Sequence, residues 1–231
     1  DPKLFIQNRK RLTNSLPKGA LTVFNSNDIM PTNADGTMPF RQNSDLFYLT
    51  GVVQEESILV VCPGFPQEPL REILFIREPN ELLEKWEGHK LSKAEASAIS
   101  GVKTVMWLSD FHKTFHHLMV MGGVGEVFLN SNEHYRSEVV VQTRDARFVE
   151  WCKNTYPLHR FNRVAPFMAA LRAVKQPQEI ALMQQACDIT EKGFRRVLGF
   201  VRPGVMEYEV EAEYLHEFIR NRSRAFAYTP I

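Results

Sequence analysis

The sequence predicts an α/β fold: a mixed sheet flanked by helices over roughly the first 165 residues, then two long helices. Three observations carry this. Segments with strand and helix patterns alternate along the chain. An unbroken apolar run, Ile58-Leu59-Val60-Val61, suits a strand buried on both faces. Beyond Pro177 the apolar residues adopt the 3.6-residue period of a helix and keep it.

Residues 3–16 are expected to form a short amphipathic helix, with Leu4, Phe5, Leu12 and Leu16 set among lysines and arginines. Pro17-Lys18-Gly19 ends it. Residues 20–24 read as a strand closed by the turn formers Asn25-Ser26-Asn27-Asp28. Strands are expected at 45–50, 57–62 and 72–76. A helix at 90–99, a strand at 104–107, a helix at 110–121, a strand at 126–129 and a long helix at 137–151 follow. Arg41, Asn43 and Asp45 flank a strand entry and read as structural, because unsatisfied buried polar groups cost about 1–3 kcal/mol.

A domain boundary is expected near residue 172. After it, Ile180, Met183, Ala186, Ile189, Gly193, Phe194 and Val197 share one helix face, and Pro177 sits near the start, where a missing N–H does no harm. Val201-Arg202-Pro203-Gly204 breaks this helix, and a second is expected over 207–222. Gly204 suits a backbone conformation closed to other residues. Glu207 is placed to accept the free N–H groups of the second helix's first turn.

Composition excludes several classes. The chain is 44% hydrophobic and 24% charged, which is globular rather than disordered. Lys plus Arg number 28 against 27 Asp plus Glu, so no global field favours nucleic acid or an anionic membrane as partner. No apolar run is long enough to span a bilayer, and the first residues carry no signal-peptide pattern. The missing initiator Met suggests a trimmed chain. Cys62, Cys152 and Cys187 lie far apart with no Cys-x-x-Cys pair, which reads as reduced thiols in a cytoplasmic protein.

His112, His116 and His117 offer helical i, i+4 spacing, half of a metal-binding pattern. The residues between the first two are Lys113, Thr114 and Phe115, so no His-Glu-x-x-His forms. These histidines read as solvent-facing or helix-packing, and His89, His134, His159 and His216 as scattered singles.

The run from Pro39 to Gly51, with Phe40-Arg41-Gln42-Asn43-Ser44-Asp45 at its head, is the most distinctive segment. With Asn33-Ala34-Asp35 before it and Trp86-Glu87-Gly88 after, it resembles the N-terminal domain of the aminopeptidase P family. Those enzymes are metallopeptidases that remove an N-terminal residue preceding proline. Lys175-Gln176-Pro177-Gln178-Glu179-Ile180 and Arg202-Pro203-Gly204-Val205-Met206-Glu207 resemble the opening of that family's pita-bread catalytic domain. Ala225-Phe226-Ala227-Tyr228-Thr229-Pro230-Ile231 resembles the strand after its second helix. The resemblance covers most of the chain in order, although 89–165 carry no matching motif.

The resemblance implies a creatinase/aminopeptidase P-like N-terminal domain over 1–172 and the truncated beginning of an α+β metallopeptidase domain over 173–231. It implies two divalent ions, usually manganese, held by two Asp, one His and two Glu that lie downstream of Ile231. Such a metal pair turns a bridging water into a nucleophile at neutral pH. No catalytic residue or metal ligand is therefore assigned, and the chain alone is expected to be metal-free and inert. The implied partners are peptides with proline in the second position and further copies of the chain, as a dimer or tetramer. A prolidase, or a non-catalytic peptide- or histone-binding relative, are the alternatives.

Two residues are singled out by the resemblance as substrate-binding, in a neighbouring subunit's site: Asp35, to meet a free amine, and Trp86, to wall the product side of the cleft. The competing readings are a turn former for Asp35, flanked by Asn33 and Gly36, and plain packing for Trp86.

Overall fold

The computed structural model describes residues 1–121, 123–134, 136, 138–223 and 226–227. They fall into two compact units, 1–173 and 174–231. The strand expected over 225–231 lies outside the described residues, apart from 226 and 227.

The first unit begins with α1 (Pro2–Ser15), β1 (Ala20–Asn25), α2 (Ser44–Thr50), β2 (Ile58–Val61), β3 (Glu72–Ile76), α3 (Glu81–Glu87) and α4 (Lys93–Ser100). It continues through β4 (Thr104–Trp107), α5 (Phe111–Met121), β5 (Glu126–Leu129), α6 (Arg144–Thr155), β6 (Arg160–Arg163) and α7 (Ala165–Ala173). The strands form one six-stranded sheet in the order β4-β3-β2-β1-β5-β6. β2 runs against both neighbours, while β3–β4, β1–β5 and β5–β6 pair in parallel. Val23 of β1 sits between Val60 and Leu129.

Both faces of the sheet are covered, so its central strands are apolar throughout and alternate only in which core they enter. Ala20 and Phe24 join Leu59, Leu74 and Phe128 beneath Leu12, Leu46, Leu49, Ala96 and Leu171 of α1, α2, α4 and α7. Leu21 and Val23 join Val60, Phe75 and Val127 beneath Phe111, Phe115, Cys152 and Tyr156 of α5, α6 and its C-cap. The second core is rich in ring contacts, with Phe111, Phe148, Trp151 and Tyr156 all within 6 Å of Phe115 or one another.

One buried cation ties the first layer together. Arg9, 1% exposed, donates from Nη1 to the carbonyls of Leu49 at 2.7 Å and Ser100 at 2.9 Å. Its Nε bonds the Glu72 carboxylate at 2.9 Å. It thereby satisfies the carboxyl ends of α2 and α4, which helix geometry otherwise leaves unpaired.

The expected strand at 45–50 is the helix α2. Asn43 accepts the backbone N–H groups of Asp45 and Leu46, an N-cap, and Gly51 closes the helix at φ 68, a conformation that disfavours a side chain. Leu46 and Leu49, three apart, then enter the same core. The helix expected over 137–151 begins only at Arg144, where the Thr143 side chain accepts the Ala146 N–H. Residues 138–143 are not helical, and Val139, Val140 and Val141 lie exposed. The strand β6 and the helices α3 and α7 were not foreseen. β6, Arg160-Phe161-Asn162-Arg163, is an edge strand with no alternation of apolar residues.

The second unit consists of α8 (Pro177–Phe200) and α9 (Glu207–Arg220), which pack on each other, close to the two expected helices. Pro177 occupies the first turn of α8, and Gly204 sits at φ 92 between the helices. Arg196 bridges to Glu213 and, at 3.7 Å, to Glu217. The side chain that caps α9 is Glu209, whose carboxylate accepts the Met206 N–H at 2.8 Å, rather than Glu207.

Candidate functional site

β1 and β3 run in the same direction, because each is antiparallel to the β2 between them. The segments that follow them leave the same edge of the sheet, and each carries one of the two residues singled out from the sequence.

Asp35 lies at the tip of a hairpin loop after β1. Met38 donates to the Met30 carbonyl at 2.8 Å, and Pro31 pairs with Thr37. The Asn33 side chain accepts the N–H groups of Asp35 at 2.9 Å and Gly36 at 2.6 Å, an Asx-turn that shapes the tip. The turn-forming role thus belongs to Asn33. The Asp35 carboxylate is exposed, with no partner among the described residues.

Trp86 lies on α3, after β3, and is 85% exposed, so it does not enter either core of the first unit. Its helix is firmly moored. Lys90, buried, donates to Glu55 and, at 3.2 Å, to Glu87 beside Trp86. Burial works against the Lys90 charge, yet hydrogen bonds to Glu55 and Glu87 hold its ammonium above the ordinary value. Arg77 joins the network through Glu56 at 3.3 Å and Glu87 at 3.2 Å. Glu84 accepts the Lys90 backbone N–H at 2.8 Å. Exposed aromatic side chains on ordered elements are a common feature of binding surfaces. No hydrogen bond, ion pair or ring contact joins Trp86 to Asp35 among the described residues.

A third feature of the same edge was not foreseen. A cleft of about 280 Å³ opens beyond the ends of β1 and β5, lined by Ser26, Asp28, Phe40, Thr143, Arg144 and Asp145 among others. Asp145, 3% exposed, accepts Asn25 Nδ2 at 2.9 Å. Burial pushes its carboxyl up to about 6, the nearby Asp45 adds to the rise, and hydrogen bonds from Asn25 and Asn132 with the Arg144 charge oppose it. Asp28 accepts the Arg144 backbone N–H at 3.0 Å and pairs with Arg147 at 2.6 Å. The signal available in the sequence was a pair of polar clusters, Asn25-Ser26-Asn27-Asp28 and Asn130-Ser131-Asn132, each directly after an apolar strand.

Gln42, Asn43 and Asp45 build this edge rather than act at it. Gln42 donates to the carbonyls of Val52 and Gln54, and Asp45 accepts Asn130 at 3.1 Å and Arg172 at 2.7 Å.

The histidines of α5 are packed apart. His112 meets the Trp151 ring at 4.9 Å, His116 Nδ1 lies 3.1 Å from the Tyr156 hydroxyl, and His117 meets Phe65. No group of three His, Cys, Asp or Glu side chains among the described residues is arranged to hold a metal ion. The described residues therefore do not fit the metal pair that the resemblance implies. Cys62 and Cys152 are buried free thiols that burial pushes up to about 11 and about 12, which makes them poor nucleophiles. Among the described residues no helix is long and apolar enough to cross a membrane.

Comparison with known proteins gives two matching families. Residues 5–127 match "Aminopeptidase P, N-terminal domain", and residues 181–231 match "Metallopeptidase family M24". The Xaa-Pro aminopeptidase of Escherichia coli (strain K12) is 27% identical over 229 residues, covering 98% of this chain and 51% of that protein. The Xaa-Pro aminopeptidase of Haemophilus influenzae is 30% identical over 222 residues, covering 93% of this chain and 46% of that protein. The chain thus spans about half the length of the curated relatives it matches. A zinc-substituted Escherichia coli aminopeptidase P in complex with product aligns at 26% identity and a TM-score of 0.77, over 97% of this chain and 50% of that one. The low-pH form of the Escherichia coli enzyme, 24% identical over 97% of this chain and 50% of that one, shares the fold at a TM-score of 0.82.

Proposed function

The chain belongs to the aminopeptidase P family, and on that premise we propose that it serves an Xaa-Pro aminopeptidase, a metallopeptidase that releases an N-terminal residue preceding proline. The observation that carries the reading is the ordered match of both units. Relatives with that activity align across nearly the whole chain, through the sheet unit and into the helical pair.

In this reading residues 1–172 act as the N-terminal domain and 173–231 open the catalytic domain. Two divalent ions, manganese in the first instance, are held by residues other than those described here. The first unit supplies subunit contacts in a cytoplasmic dimer or tetramer, and part of the cleft in a neighbour. Asp35 meets the free amine of the peptide, and Trp86 walls the product side. What supports these roles is the exposed carboxylate at a shaped hairpin tip, without a partner among the described residues, and the exposed indole on a helix moored by Lys90 and Arg77.

The test is a substrate panel given to the enzyme that carries this chain: an Xaa-Pro-Yaa tripeptide, an Xaa-Pro dipeptide and an Xaa-Ala-Yaa tripeptide, each with manganese. The reading requires hydrolysis of the first, with the second and third cleaved far more slowly. Preference for the dipeptide points to a prolidase, and no turnover points to a peptide-binding relative. Light scattering gives the assembly: a mass of 26.7 kDa for the chain at high concentration contradicts the proposed self-association.

A further inference from the structure

We propose that the cleft beyond the ends of β1 and β5 is a binding site for a small carboxylate with an apolar body. The cleft shares the Asp35 hairpin with the peptidase reading, through Met30 and Met38, but its argument does not depend on that reading.

Topology puts a cleft there. β1 and β5 are adjacent and parallel. The chain leaving β1 enters α2, whose Leu46 and Leu49 belong to one core, whereas the chain leaving β5 enters α6, whose Cys152 belongs to the other. Adjacent parallel strands whose connections depart to opposite faces leave a crevice at their carboxyl ends, where α/β sheets bind ligands.

Chemistry selects the ligand. The Arg144 guanidinium lines the cleft, and its described side-chain bond is to a neutral group, Ser26 Oγ, at 3.0 Å. The neighbouring carboxylates have partners of their own, Glu56 in Arg77, Asp28 in Arg147 and Asp145 in Asn25. A guanidinium has five N–H donors in a fork matched to a carboxylate, and the bond to Ser26 uses one of them. Burial also lowers its pKa, a cost that an incoming anion would relieve. Glu56, Asp28 and Asp145 all act on the Arg144 charge and would oppose a doubly charged phosphate more than a monoanion, which makes the monoanion the better match.

The cleft also has an apolar lining. Met30, Met38, Phe40 and Val141 form it, and Met30, Met38 and Val141 are 47%, 56% and 60% exposed. Apolar lining combined with a cation is the composition of a small-molecule pocket, and about 280 Å³ is just below the usual volumes of such pockets. The ligand can be a free acid or the carboxyl end of a peptide, since both present the same group.

Calorimetric titration of the 231-residue chain tests this with 3-phenylpropanoate, its neutral amide, inorganic phosphate, and a blocked peptide ending in phenylalanine as free acid or amide. Saturable binding of 3-phenylpropanoate or of the free-acid peptide, at least about tenfold tighter than the matching amide, is expected, and which of the two binds identifies the source. Arg144→Gln should weaken that binding by about tenfold or more. Val141→Asp sets a like charge on an exposed rim position that the fold does not need, and should weaken binding comparably even if Arg144→Gln fails to fold. No saturable binding by either carboxylate, equal affinity for the amides, preference for phosphate, or unchanged affinity in Val141→Asp would each overturn the proposal.

Discussion

Replacing Asp145 with asparagine should change how the stability of the first unit depends on pH. In the folded chain burial lifts this carboxyl from 3.8 to about 6. Between about pH 4 and pH 6 the unfolded chain has released the proton while the folded chain still holds it, so the folded state binds more protons there. Stability from this group is therefore full below about pH 4 and is lost as pH rises through about 6. A rise of that size is worth about 3 kcal/mol, as an order of magnitude. Asparagine keeps the shape and cannot ionise. It gives up one acceptor toward Asn25 or Asn132, an offset that does not vary with pH. The difference in unfolding free energy between variant and parent should thus move in the variant's favour by about 3 kcal/mol from pH 4 to pH 7.5. Urea unfolding at half-unit pH steps, on both proteins, measures it. A gap that stays constant across that range would refute the reasoning, whatever its size.

Arg9→Met should cost about 3 kcal/mol in the same urea assay, because it strands two buried carbonyls and leaves Glu72 without its partner; a loss below about 1 kcal/mol would show that water replaces the guanidinium. Asn43→Ala should cost about 1 kcal/mol through loss of the α2 cap, and Asn43→Asp should recover most of it. Gly51→Ala should destabilise by more than either cap variant, since the new Cβ meets the Phe5 ring at a positive φ, and thermal unfolding checks the order.

The two cores were largely legible from the sequence, because strands covered on both faces must be apolar along their length, as 58–61 and 73–76 are. The helical pair was equally plain in its period. The segment 44–50 was not. Its aromatic Phe47 and Tyr48 have strand propensity, and at seven residues the periods of helix and strand are hard to separate. The cap residues Asn43 and Gly51 settle it, and both stood in the sequence. The helix expected over 137–151 was placed too far toward the N-terminus, when the Thr143 cap was the boundary that mattered. At the candidate site, the sequence and its family resemblance singled out Asp35 and Trp86, but the mooring of Trp86 by Lys90 and Arg77 depends on Glu55 and Glu56, more than 20 residues away. The cleft was beyond reach for a similar reason: Asn25 and Asp145 meet across 120 residues, and only the sheet order brings them together.

The most direct test of the central claim is the kinetics of Asp35→Ala and Trp86→Ala in the full enzyme that carries this chain. Both side chains are exposed, so neither substitution threatens the fold. With an Xaa-Pro-Yaa peptide and manganese, kcat/KM should fall by about tenfold or more in each variant, while melting temperature and bound metal stay at the parent's values. Kinetics indistinguishable from the parent in both variants would contradict the assignment of this edge of the sheet to the substrate cleft.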